Sequence, residues 1–136
     1  MTTVLFACTH NAGRSQMAAA FLNTLADRTK VQGVSAGTQP SDRVHPVVAQ
    51  AMKEVGVDLY GLTPRLFTPE LAATANLLVT MGCGEECPFV PGLEVQDWAL
   101  PDPKDQPIEV VRKIRDEIQQ RVTALVQAHG FDREHD

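Results

Sequence analysis

Eight residues near the N-terminus, Cys8-Thr9-His10-Asn11-Ala12-Gly13-Arg14-Ser15, restrict this chain more than any other stretch. They follow a short apolar run, Thr3-Val4-Leu5-Phe6-Ala7, of the kind that forms a fully buried strand. They lead into Arg14-Ser15-Gln16-Met17-Ala18-Ala19-Ala20, which opens a helix. A loop of this length between strand and helix can aim its backbone N–H groups at one point, where the helix dipole favours negative charge. The Arg14 guanidinium can grip two oxygens of a tetrahedral anion. Cys8 would lie beneath the anion's centre, and the same dipoles stabilise its thiolate. The segment therefore reads as an oxyanion cradle with a nucleophile at its base. Thr9, His10, Asn11, Ala12, Gly13 and Arg14 are its candidate binding residues. His10 is expected to serve through its N–H, with its ring turned outward.

Beyond the cradle, strands and helices alternate. Val4 to Ala7 is the first strand, and Arg14 to Asp27 the first helix, with Met17, Phe21, Leu22 and Leu25 inward. Val31 to Ser35 is the second strand. A helix starts at Pro46, with Val47, Val48, Ala51, Met52 and Val55 inward and Gly56 as its stop. Residues 61–69 are loop, and Thr68-Pro69-Glu70 opens a short helix. Asn76 to Met81 is the third strand and Leu93 to Trp98 the fourth. The last helix runs from Pro107 to about His129, and Asp132 to Asp136 is expected to fray. This order predicts a three-layer αβα domain over residues 1–136, with a four-stranded parallel sheet in a flavodoxin-like arrangement. Ligands of such sheets bind at the carboxyl ends of the strands. Cys8 and Cys83, which follow the first and third strands, share that rim.

Composition narrows the partners. With 136 residues, 43% hydrophobic and 21% charged, the chain suits one soluble core. A net charge of −5 disfavours nucleic acid and anionic membranes. Any anion site must be local. No segment has the length of a membrane span or the pattern of a signal peptide, so the cytoplasm is expected. Three cysteines in a reducing compartment point to thiol chemistry rather than permanent disulfides.

Two further segments carry chemistry. Cys83 and Cys87, in Met81-Gly82-Cys83-Gly84-Glu85-Glu86-Cys87-Pro88, suit metal binding or redox exchange. No second ligand pair accompanies them, so redox exchange leads and neither metal nor cofactor is expected. Asp102 stands between Pro101 and Pro103, which present its carboxyl from a fixed backbone. It is the candidate general acid. Asp97 and Asp105 are its rivals. His45, His129 and His135 read as surface or loop residues, and Trp98 as a packing aromatic.

A Cys-x5-Arg-Ser loop after the first strand and an Asp-Pro loop before the last helix resemble the low-molecular-weight protein tyrosine phosphatases over essentially the whole chain. Arg14-Ser15-Gln16-Met17-Ala18, the cysteine pair and Asp97-Trp98…Asp102-Pro103 resemble the arsenate reductase branch of that family. The resemblance implies that Cys8 is the nucleophile, Arg14 the oxyanion clamp and Asp102 the acid. It further implies that Ser15 hydrogen-bonds the Cys8 thiolate, that Asn11 stiffens the loop, and that Cys83 and Cys87 are relay thiols. Lys104-Asp105 stands where phosphatases of this fold carry two tyrosines, and Ala19 where some reductases carry a potassium-binding Glu.

The expected activity is reduction of arsenate to arsenite, as in arsenic resistance. Phosphate and sulfate would compete as oxyanions. Thioredoxin is the implied electron donor, and mycothiol or glutathione the alternative. Two other readings are a phosphatase acting on small or aryl phosphates and a non-catalytic oxyanion sensor.

Overall fold

The structure, a computed structural model, describes residues 1–59, 61–82 and 90–133. Four strands, β1 (Thr2–Cys8), β2 (Val31–Gly37), β3 (Leu77–Thr80) and β4 (Glu94–Asp97), form one sheet in the order β2-β1-β3-β4. All three pairings are parallel. The helices are α1 (Arg14–Leu25), α2 (Pro46–Glu54), α3 (Pro69–Ala72) and α4 (Ile108–Ala128). The chain steps from β1 to β2 on one side and then crosses to β3 on the other, so the end of β1 is the switch point of the sheet.

Strand alternation decides which face each β1 side chain meets. Val4, Phe6 and Cys8 join the larger core with Met17, Phe21 and Leu22 of α1, Val48 and Met52 of α2, and Ile114, Ile118 and Val122 of α4. Leu5 and Ala7 join the smaller core with Ala36, Phe67, Ala72 and Leu78. Cys8 is thus the last of three residues facing α1, only 2% exposed. Trp98 is buried, its ring centroid 5.8 Å from that of Phe6.

Several boundaries differ from the periodicity. The first helix stops at Leu25 rather than Asp27, because Ala26 turns extended and bridges Asp132. Asp27 instead closes a turn through its carboxylate, which accepts from Thr29 N–H at 2.9 Å. That pairing, with Arg133 Nη2 donating to Thr24 O at 2.7 Å, ties down the first part of the tail expected to fray. Val55 is 39% exposed rather than inward, since α2 has already ended at Glu54. α3 is a single turn whose cap is Thr68, its hydroxyl accepting from Leu71 N–H at 3.1 Å. Among the described residues no helix is long and apolar enough to cross a membrane.

Candidate active site

Residues 8–15 join β1 to α1 as a tight loop, buried except at Thr9 and His10, which are half-buried. Its carbonyls are drawn outward by the chain that surrounds it. Cys8 O accepts from Thr38 N–H at 3.3 Å, Thr9 O from Gln39 N–H at 2.8 Å, and His10 O from Ser41 N–H at 3.0 Å. Ala12 O accepts from His45 N–H at 2.9 Å and Gly13 O from Met17 N–H at 3.0 Å. By contrast, among the described residues the N–H groups of Thr9, His10, Ala12 and Gly13 have no protein acceptor. Helix α1 begins with no side-chain cap and no acidic residue in its first turn. Convergent loop amides that meet no protein acceptor, at an uncapped helix start, suit an anion.

Cys8 Sγ receives two contacts from this loop. Asn11 N–H donates to it at 3.3 Å, and Ser15 Oγ lies 2.8 Å away. Asn11 Nδ2 donates to Ser15 Oγ at 2.8 Å, which leaves the Ser15 hydroxyl proton for the sulfur. Asn11 holds this geometry in a left-handed conformation, φ 50°, a region that asparagine tolerates better than most residues. Both contacts hold the Cys8 sulfur at the base of the loop.

Arg14 is the first residue of α1 and its side chain is 7% exposed. Nη1 donates to Leu100 O at 2.9 Å, and Nη2 lies 3.8 Å from Asp102 Oδ2. Gly82, two residues after β3, packs its backbone against the same guanidinium. A β-carbon there would collide with Arg14 Nη1. Asp102 is more open, at 43% exposure, and its Oδ1 accepts from Lys104 N–H at 3.0 Å. Pro103 presses on the cradle, since a β-carbon at Gly13 would lie 2.8 Å from its Cγ. Of the rival acids, Asp97 is engaged by Thr80, whose hydroxyl donates to Oδ1 at 2.7 Å. Asp105 adopts φ 59° just beyond Pro103.

The structure thus brings Cys8, Asn11, Arg14, Ser15 and Asp102 into one connected site. Cys83 and Cys87, with Tyr60 and His135, lie outside the described residues. The His10 ring turns to Gln39 O, 3.1 Å from Nδ1. His45 is the residue before α2, half-buried beside Gly13 rather than a simple surface group. Burial holds its imidazole below the ordinary histidine range, while the nearby Asp102 carboxylate pulls the other way. Gln16, Gly37, Gly82 and the backbones of Thr63 and Arg65 belong to the site's support, although none is a candidate site residue in the sequence. Gly37 permits the close approach of the loop backbone, because a β-carbon there would lie 2.7 Å from Thr9 O. Among the described residues no cluster of His, Cys, Asp or Glu could hold a metal ion.

A parallel sheet with a Cys-x5-Arg cradle at its switch point and an Asp-Pro loop against the arginine defines a class. The chain matches the low molecular weight phosphotyrosine protein phosphatase family over residues 3–134, and it belongs to that family. It is 41% identical over 124 residues to a Halobacterium salinarum protein whose name proposes arsenate reductase, covering 88% of this chain and 87% of that one. It is 36% identical to a Synechocystis protein named glutaredoxin arsenate reductase, covering 93% and 97%. Among solved structures, the thioredoxin-dependent arsenate reductase of Corynebacterium glutamicum superposes with a TM-score of 0.81 at 36% identity. That match covers 94% of this chain and 61% of the other, so the chain spans about three-fifths of its length.

Proposed function

We propose that this protein is an arsenate reductase, with residues 1–136 acting as one domain. The observation that carries the reading is the Cys8 sulfur, held by Asn11 N–H and Ser15 at the base of a cradle of amides without protein acceptors among the described residues. The names of the relatives at 36–41% identity support arsenate as the oxyanion. In the reaction, Cys8 thiolate attacks arsenic while Thr9 to Arg14 bind the oxygens. Asp102 protonates one departing oxygen, which leaves as water and gives a Cys8–arsenic bond. Cys83 thiol then attacks Cys8 sulfur. The sulfur–arsenic bond breaks with its electron pair on arsenic, and arsenite leaves as two thiols become a Cys8–Cys83 disulfide. Cys87 attacks Cys83, Cys8 is freed, and the resulting Cys83–Cys87 disulfide is reduced by a dithiol of the thioredoxin type. Phosphate and sulfate compete for the cradle, and the reducing cytoplasm is the compartment this cycle needs.

The test is a single turnover with arsenate and no external thiol, followed by alkylation, digestion and mass spectrometry. Arsenite release with a peptide pair linked through Cys83 and Cys87 is the expected result. In a second arm with mycothiol or glutathione present, Cys8 carrying a small thiol while Cys83 and Cys87 stay free would replace the relay. Hydrolysis of an aryl phosphate with no arsenite formed in either arm would make the protein a phosphatase.

A further inference from the structure

The cradle's hydrogen bonds do not end at Asn11. Gln16 sits in the first turn of α1 with 4% exposure, an unusual place for a long amide. Its Nε2 lies 3.1 Å from Asn11 O, 3.2 Å from Asn11 Oδ1 and 3.4 Å from Thr63 O. All three partners are oxygens, so chemistry alone turns the NH2 end toward them. Asn11 Oδ1 also accepts from Arg65 N–H at 2.9 Å. With two donors on Oδ1, the Asn11 amide has one workable orientation, and Nδ2 faces Ser15 Oγ. Ser15 then has its single proton for Cys8 Sγ, 2.8 Å away. Gln16 additionally holds the carbonyl of the left-handed residue whose N–H donates to the same sulfur.

From this chain of donors we infer that Gln16 is a positioning residue for the Cys8 thiolate, acting through Asn11 and Ser15. It touches neither the sulfur nor the anion. It fixes which end of the Asn11 amide meets Ser15, and so which way the Ser15 proton points. Without it, Arg65 N–H alone holds Oδ1, the amide can turn its oxygen toward Ser15, and the serine proton is drawn away from sulfur. The inference rests on Cys8 as nucleophile, but the measurement reads the thiol itself, so its failure is separate from that of the arsenate assignment.

The experiment is iodoacetamide capture of Cys8 in the full chain, followed peptide by peptide with mass spectrometry across pH. Gln16→Met is expected to slow capture near neutral pH by about tenfold, the scale of one lost hydrogen bond to a charged group. The deficit should close near pH ~10, where an ordinary thiol is also ionised. In a Ser15→Ala background, adding Gln16→Met should slow capture by clearly less than that tenfold, because the Ser15 route to sulfur is already cut and only the Asn11 N–H route remains. An equal tenfold loss in that background, or no loss in the wild-type background, would overturn the proposal. Gln16→Glu keeps the shape, loses the donors and is measured in parallel with a melting curve for each variant. Unfolding of both would overturn it too, by making Gln16 a stability residue alone.

Discussion

The two loops that meet at Arg14 are built in opposite ways. The cradle, residues 8–15, is buried apart from half-buried Thr9 and His10, and each carbonyl from Cys8 to Gly13 is tied to neighbouring chain or to Gln16. The Asp102 loop is largely exposed, prolines stiffen it, and among the described residues the Asp102 carboxylate accepts one hydrogen bond, from Lys104 N–H. The difference follows from what each must do. A nucleophile and the donors around an oxyanion act through fixed distances, and their electrostatics strengthen as water is excluded. A proton donor needs reach and exchange with solvent, so Pro101 and Pro103 can supply its rigidity in place of burial.

Three experiments probe that contrast. The largest effect is expected in the cradle. Cys8→Ser should abolish arsenate reduction, since no base adjoins a hydroxyl there, and Arg14→Gln should cost at least about 10²-fold in kcat, roughly 3 kcal/mol. Measurable turnover by Cys8→Ser would remove the cradle from the chemistry. Next comes the open loop. Asp102→Asn should lower the rate by about 10²–10⁴ while phosphate still binds, as isothermal titration can show. Were Asp97→Asn the more damaging of the two, the acid would lie on β4 instead.

The smallest effect sits where the two loops touch. Burial lowers the His45 pKa in the folded chain from its ordinary value near 6.5. The unfolded chain therefore takes up a proton that the folded one resists. Stability from this source is complete above about pH 6.5 and declines as pH falls below it. His45→Gln should flatten the melting temperature between about pH 6.5 and 5, with little change at higher pH. An unchanged acid slope would mean that the contact between the loops carries no titrating group.

The local pattern, strand then Cys-x5-Arg then helix, was legible because neighbours in sequence enforce it. Alternation along Val4, Phe6 and Cys8 aims the sulfur at α1, and the loop leading into α1 supplies the amides. The order of strands and helices likewise determined a parallel sheet, since only crossovers can join such strands. What tertiary structure decided is everything that holds the cradle in place. Thr38, Gln39 and Ser41 take its carbonyls through backbone N–H groups, which carry no residue-type signal. Arg65 N–H reaches Asn11 across 54 residues, and Leu100 O reaches Arg14 across 86. Gly37 reads as the end of a strand, yet it is also where the loop comes too close for a β-carbon. Even His45 reads as an ordinary loop histidine, because its place beside Gly13 exists only in the folded chain. Local sequence sets side-chain periodicity and backbone preference, whereas contacts between distant backbone groups are set by the packing of whole elements, and the packing assembles this site.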